Sequence, residues 1–184
     1  MELWMAIFAA AVGYLLGSIS SARLIARRVA PSADIEKIET VVPGTEVVFV
    51  SDSVSATAVR MKVGTRYGCL TAILDMLKVA IPVLVLKLWQ PDMPYFLFSA
   101  AGGLLGHDFP LYHRFKGGRG ESPIYGALLV IDPLGVVATT AIGFIAGALS
   151  GNLLVLRWAG LVLFMPWLWF RTQDPYHLAY ILLA

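Results

Sequence analysis

From Leu3 to Ala22 the chain runs for 20 residues without a charged side chain. As a helix rising about 1.5 Å per residue, such a segment spans the roughly 30 Å hydrocarbon core of a bilayer. Further apolar runs follow at Tyr67–Trp89, Pro94–Pro110, Pro123–Ile131, Leu134–Leu149, Leu153–Phe170 and His177–Ala184, the last too short to cross alone. Hydrophobic residues make up 58% and charged residues 14% of the 184, with a mean hydropathy of +0.75. That is more apolar surface than one small soluble core can hide. The expectation is an all-α integral membrane protein: a polytopic helical bundle of about six to seven helical segments, some short or broken. Length predicts one domain over residues 1–184, with a polar loop at about 29–66.

Charge placement orients this bundle. Seven of the fourteen Lys and Arg lie in Arg23–Arg66 and three more in Arg114–Arg119. If Tyr67–Trp89 and Pro94–Pro110 form a hairpin, both basic regions share one side, which the positive-inside rule makes cytoplasmic. The N-terminus is then outside. Glu2 at the start and an apolar run beyond signal length argue against a cleavable signal. Cys69 is the single cysteine, so the chain has no intramolecular disulfide and no paired-thiol metal motif. The histidines are scattered singly, which predicts no metal site and no cofactor. The cations flank apolar spans instead of forming a soluble basic face, so nucleic acid is not an expected partner.

Four polar features meet on the predicted cytoplasmic side. The first span closes in Gly17-Ser18-Ile19-Ser20-Ser21-Ala22. Small hydroxylated residues there serve either close helix packing or a polar cavity. Val41–Val50 reads as two β-prone runs around the Pro43-Gly44 turn, a small surface hairpin. Ser51–Thr57, SDSVSAT, reads as a solvated loop or a second anion-binding loop, followed by Arg60, Lys62 and Arg66. Asp75 and Lys78, three residues apart on one helical face, are expensive within a membrane. They pair with each other or face a substrate. Pro82 is expected to kink their helix or free a carbonyl.

The fourth feature is Gly106–Gly120, GHDFPLYHRFKGGRG. Glycines at Gly117, Gly118 and Gly120 let backbone N–H groups turn towards an anion, while Lys116 and Arg119 supply full positive charges. Phosphate or acyl-phosphate binding is the chemistry suggested. The alternative is a basic juxtamembrane loop in which the glycines merely make turns.

These residues resemble the acyl-phosphate:glycerol-3-phosphate acyltransferases of bacterial membranes (PlsY). Gly17–Ala22 is similar to the family's first motif. Gly106-His107-Asp108-Phe109-Pro110 through Phe115–Gly120 resembles its GHxxPxxxxFKGGKG, with Arg119 for a lysine. Asp75-Met76-Leu77-Lys78 followed by Pro82 resembles its D-x-L-K. The second motif, roughly S-G-N-P-G-A-T-N, falls on Ser51–Ala58, where Ala56 and Thr57 agree but both glycines and both asparagines are lost. After Gly120 the family reads V-A-T, against Glu121-Ser122-Pro123 here, and the chain ends at Ala184 ahead of the family's basic H-R-x-N-I segment.

The resemblance implies a helical enzyme of the bacterial inner membrane whose site lies at the cytoplasmic face. Acyl phosphate and glycerol 3-phosphate would be its substrates, membrane lipids its surroundings, and lysophosphatidic acid its product, without a metal or other cofactor. On that reading Lys116, His107 and Ser18 are the catalytic candidates. Lys116, Arg119 and the N–H groups of Gly117, Gly118 and Gly120 hold the phosphate, or the oxyanion and departing phosphate. Arg60 or Lys62 holds glycerol phosphate, Ser18, Ser20, Ser55 and Thr57 orient oxygens, and Lys78 completes the substrate-binding set. His107 is a general base or a helix-end hydrogen-bonder, with His113 and His177 weaker candidates. Two other classes stand beside this one. A non-catalytic relative would bind an anionic lipid or phosphometabolite, and a small transporter would use the intramembrane Asp75 and Lys78.

Overall fold

The computed structural model of the chain describes residues 1–41 and 48–184, and their side chains except at 40, 41, 48 and 49. Helix α1 (Leu3–Gly17) breaks at Ser18–Ser20 and resumes as α2 (Ser21–Val29). A hairpin of β1 (Ile38–Val41) and β2 (Val48–Ser51) follows, then α3 (Ala56–Lys62), α4 (Thr65–Trp89) and α5 (Tyr95–Asp108). A 3-10 turn at Leu111–His113 precedes α6 (Glu121–Ile131), α7 (Pro133–Ser150), α8 (Leu153–Thr172) and α9 (Pro175–Leu183). Leu3–Val29, Thr65–Trp89, Pro133–Ser150 and Leu153–Thr172 are long and apolar enough to cross a bilayer. Leu3, Leu88 and Leu149 are exposed along these helices at 70%, 74% and 84%, as side chains facing lipid would be. The chain is a multi-pass membrane protein.

Short polar residues punctuate the apolar sequence. The side chain of Ser20 accepts from Arg23 N–H at the start of α2, and Ser55 accepts from Ala58 N–H at the start of α3. Asp132, Asn152 and Asp174 do the same for α7, α8 and α9. Each cap satisfies an amide that the first turn leaves without a partner. The break at Asp132 separates a short helix from a longer one, as the sequence predicts. The final apolar segment begins at Pro175, two residues ahead of the predicted His177, because Asp174 caps it there.

The packing turns on glycine. Helices α1 and α5 run parallel, with Glu2 N–H donating to the Tyr95 hydroxyl at one end (2.9 Å) and the Tyr14 hydroxyl to Phe109 O at the other (2.9 Å). A Cβ added at Gly13 or Gly17 would collide with the carbonyls of Ser99 or Gly103. One added at Gly102 or Gly106 would collide with those of Ala10 or Tyr14. The two backbones therefore touch directly, which larger side chains forbid. Gly126 brings α6 against the Met76 backbone of α4, and Gly143, Gly147 and Gly160 do the same between α7 and α8. Val79, Val83, Leu97, Leu104, Leu128 and Phe164 fill the buried centre between α4, α5, α6 and α8.

Two expectations change. The strands begin and end outside Val41–Val50, pairing Ile38 with Ser51, and the Pro43-Gly44 turn lies outside the described residues. Ser51–Thr57 is not a solvated loop: Ser51 belongs to β2, Ser55 caps α3, and Ala56 and Thr57 lie within α3. The physical reason is a second small core, in which Ile35, Ile38, Val54, Ala58 and Val59 pack on Ala22, Ile25 and Ala26 of α2. Helix α4 continues through Pro82 without ending, and Val83 beside it is fully buried.

The α1–α5 contact predicts a sharp asymmetry between faces of α1. Gly13→Val should cost at least 1–3 kcal/mol by overpacking, lowering the melting temperature in detergent or abolishing folded protein. Ala11→Val, on the exposed side of the same helix, should leave it unchanged. Equal melting temperatures for the two variants would remove the seam from the account of stability.

Candidate active site

The ends of α1 and α5 meet the middle of α4, and the polar residues gather there. Lys78 on α4 is surrounded by three acceptors. Its Nζ lies 2.9 Å from Asp75 Oδ1, donates to Ile19 O at 2.7 Å, and is 2.9 Å from His107 Nδ1. The ammonium is thus held by an ion pair, a carbonyl and an imidazole nitrogen. Lys78 lines the cleft beside Asp75 and His107. It holds the break after α1, the end of α5 and α4 at a single point. Because Nδ1 of His107 accepts, the proton of the neutral ring is assigned to Nε2. Nε2 points at the phosphate-loop candidate, where a Cβ on Gly118 would collide with it. The ring is thus set to donate a hydrogen bond towards the loop, and a base role at that nitrogen is not supported.

Ser18 is fully buried and also occupied. Its hydroxyl donates to Tyr14 O at 2.8 Å and accepts the Leu111 N–H at 3.2 Å. With its one hydrogen engaged, it joins α1 to the loop at the lining of the cleft. Ser20 caps α2 and still lines the same cleft, together with Val54, His107, Gly117 and Gly118.

The loop itself is held by its backbone. Pro110 O accepts from His113 and Phe115 N–H at 3.1 and 3.0 Å. The chain then turns through Arg114 and Phe115 in left-handed conformations, φ 52° and 60°, a strained state for side chains of this size. Gly120 has φ 73° and opens α6. Gly117 and Gly118 have ordinary φ, but a Cβ on either would strike the carbonyls of His107 and Asp108 or the His107 ring. They are glycine because of crowding. Gly118 N–H donates to His107 O at 3.1 Å, so that amide is not available to a phosphate. Gly117 O accepts from Val54 N–H at 3.0 Å, and Lys116 O accepts from Arg23 Nη1 at 3.0 Å.

Of the charged candidates, Lys116 is exposed at the loop, and Arg119 donates from Nη2 to Ser51 Oγ at 2.8 Å. Thr57 and Arg60 are exposed on α3, and neither lines the cleft. His113 sits near Arg23 and Arg27, and partial burial and then those two charges push its pKa below the usual histidine range. Glu121 turns away from the loop to pair with Arg157 of α8. That pair closes one end of an apolar groove lined by Tyr125, Thr140, Phe144, Leu156 and Leu161. Arg23 enters the sequence reading only through the charge bias that orients the bundle. Nothing local in sequence links it to Lys116, 93 positions away.

The cage around Lys78 gives a test. Lys78→Met leaves the Asp75 carboxylate buried and unpaired, which should cost about 3–5 kcal/mol. Asp75→Leu combined with Lys78→Met should recover most of that stability in thermal denaturation. A double variant as unstable as the single one would mean that packing, not the pair, sets the cost.

The chain matches the family model described as glycerol-3-phosphate acyltransferase over residues 7–184. It is 31% identical over 179 residues to a glycerol-3-phosphate acyltransferase of Mycoplasma mycoides subsp. mycoides SC, covering 92% of this chain and 64% of that protein. With the enzyme so named from Geotalea daltonii it shares 37% over 129 residues, covering 70% and 60%. The chain thus spans a little under two thirds of the length of these curated relatives. The crystal structure of PlsY (YgiH), an integral membrane glycerol 3-phosphate acyltransferase in its glycerol 3-phosphate form, superposes with a TM-score of 0.75 at 25% identity, covering 96% of this chain and 82% of that one. The lysophosphatidic acid form of the same enzyme gives 0.74.

Proposed function

This chain belongs to the glycerol-3-phosphate acyltransferase family, and on that premise we propose that it moves a fatty acyl group from acyl phosphate to glycerol 3-phosphate. The observation that carries the reading is the polar cleft where Ser20, His107, Gly117 and Gly118 meet beside Lys116. In that cleft the 1-hydroxyl of glycerol 3-phosphate attacks the acyl carbonyl. The carbonyl carbon's bond to the phosphate oxygen breaks, and inorganic phosphate leaves with the hydroxyl proton. Acyl phosphate is already activated, so no covalent enzyme intermediate is needed; orientation and charge stabilisation suffice.

Lys116 and Arg119 supply positive charge to the transferred carbonyl's oxyanion and to the departing phosphate. Nε2–H of His107 adds a neutral donor from a fixed ring. Ser20 orients an oxygen, and Gly117 and Gly118 keep the wall of the cleft thin enough for close approach. Arg60, Lys62 and Thr57 on α3 stand at the rim, where they attract glycerol phosphate from solvent before it enters. The groove that starts at the Glu121–Arg157 pair is the apolar surface adjoining the loop and takes the acyl chain. The basic segments 23–66 and 114–119 support a cytoplasmic site, an outside N-terminus and a place in the bacterial inner membrane.

A second reading, a relative that binds the phosphorylated ligand without turnover, draws support from the cleft itself. It is narrow, with space for about one water molecule, and Arg119 is engaged with Ser51.

One assay separates the two. Membranes or purified protein would receive acyl phosphate and labelled glycerol 3-phosphate, with Lys116→Ala alongside. The acyltransferase makes labelled lysophosphatidic acid, and Lys116→Ala lowers the rate by about 100-fold or more. Product no greater than in the variant would overturn the catalytic reading. Calorimetric binding of glycerol 3-phosphate without product would establish the second one.

A further inference from the structure

Arg23 is the charged side chain whose burial the mechanism does not yet use. It is 7% exposed, in the first turn of a short helix whose Ile25 and Ala26 are buried as well. An arginine is rarely hidden without full pairing. Its partners are specific: Nε and Nη2 both donate to Glu36 Oε1, at 3.2 and 3.1 Å, and Nη1 donates to Lys116 O at 3.0 Å. The Glu36 backbone is tied by its own N–H, which donates to Asp34 Oδ1 at 2.9 Å, while its side chain is 56% exposed.

We propose that Arg23 is a positioning residue for Lys116, held in place by Glu36. This rests on the acyltransferase reading above, and it adds a part of the machinery that lies outside the glycine-rich loop. Among the described residues several ties hold the loop: Val54 fastens Gly117, His107 fastens Gly118, Lys116 N–H donates to His113 O at 3.1 Å, and Arg23 is the one side chain seen on the Lys116 carbonyl. The two residues just before Lys116 are in strained left-handed conformations. A strained turn persists when its surroundings over-determine it, and the guanidinium supplies that constraint at the residue whose ammonium must stay at the cleft mouth. A planar fork with fixed donors suits the task; the single point charge of a lysine cannot reach Glu36 and the carbonyl with the same geometry. Cutting the tie would leave Lys116 chemically intact but free to wander.

The role makes Arg23 act through Lys116 and not on substrate, which a double-mutant cycle detects. In the full-length protein, Arg23→Gln should lower kcat by roughly tenfold to a hundredfold with little change in KM for glycerol 3-phosphate. In a Lys116→Ala background the same substitution should have no further effect. Arg23→Lys should rescue only in part, and Glu36→Gln should reproduce a milder version of the loss. Amide hydrogen exchange of the 114–118 segment should quicken in Arg23→Gln while exchange in α1 and α5 does not. Additive losses in the cycle, or unchanged exchange at 114–118, would overturn the proposal. Faster exchange throughout α1 and α5 would overturn it too, since Arg23 would then be a general structural support. Wild-type protein that turns over nothing yet loses loop protection in Arg23→Gln would instead count against the acyltransferase reading alone.

Discussion

Backbone contact between α1 and α5 is the constraint from which the site follows. Four glycines remove the side chains that would hold these helices apart, and the helices lie parallel with their ends in step. That alignment brings Ser18, at the end of one, and His107, at the end of the other, to the same level. Helix α4 passes both with Lys78 directed between them. In a membrane the packing of helices gains little from hydrophobicity, since lipid is as apolar as leucine. Close approach and buried polar contacts must do more. Here the two coincide: the glycine seam sets the distance, and the ammonium fixes the register.

Much of this was legible in the sequence. The apolar runs fixed the number and order of long helices because a bilayer leaves few alternatives to a helix. Gly17–Ala22 and Gly106–Gly120 stood out because their residue types fit neither lipid nor a soluble core. Other features could not be read locally. Whether Lys78 faces Asp75 or a substrate depends on Ile19 and His107, which are 59 and 29 positions away. SDSVSAT reads as a solvated loop because its apolar members are few, yet Val54 and Ala58 are buried against α2. The glycines of the loop signalled turns, whereas two of them answer to the bulk of a histidine ring and neighbouring carbonyls. The left-handed residues proved to be Arg114 and Phe115, for which sequence carries no such signal.

The site also shows how a divergent segment retains a role. Ser51 accepts from Arg119, Ser55 caps α3, and Val54 fastens Gly117 through its amide. These contacts use backbone groups or the simplest hydroxyls. The segment frames the loop mainly through the path of its main chain.

One dimension of the fold has a further meaning for chemistry at a membrane. Helix α5 has 14 residues, about 21 Å of helix at the standard rise, against a hydrocarbon layer of roughly 30 Å. Starting from one boundary, it stops well short of the other. The chain that follows it, tied to Arg23 of α2 and to Val54 ahead of α3, would then lie beneath the water line. A recess of that depth is open to a water-soluble molecule from above and to a lipid-soluble one from the side. Two molecules with opposite solubilities can then meet at one depth, and neither has to cross the solvent that suits the other.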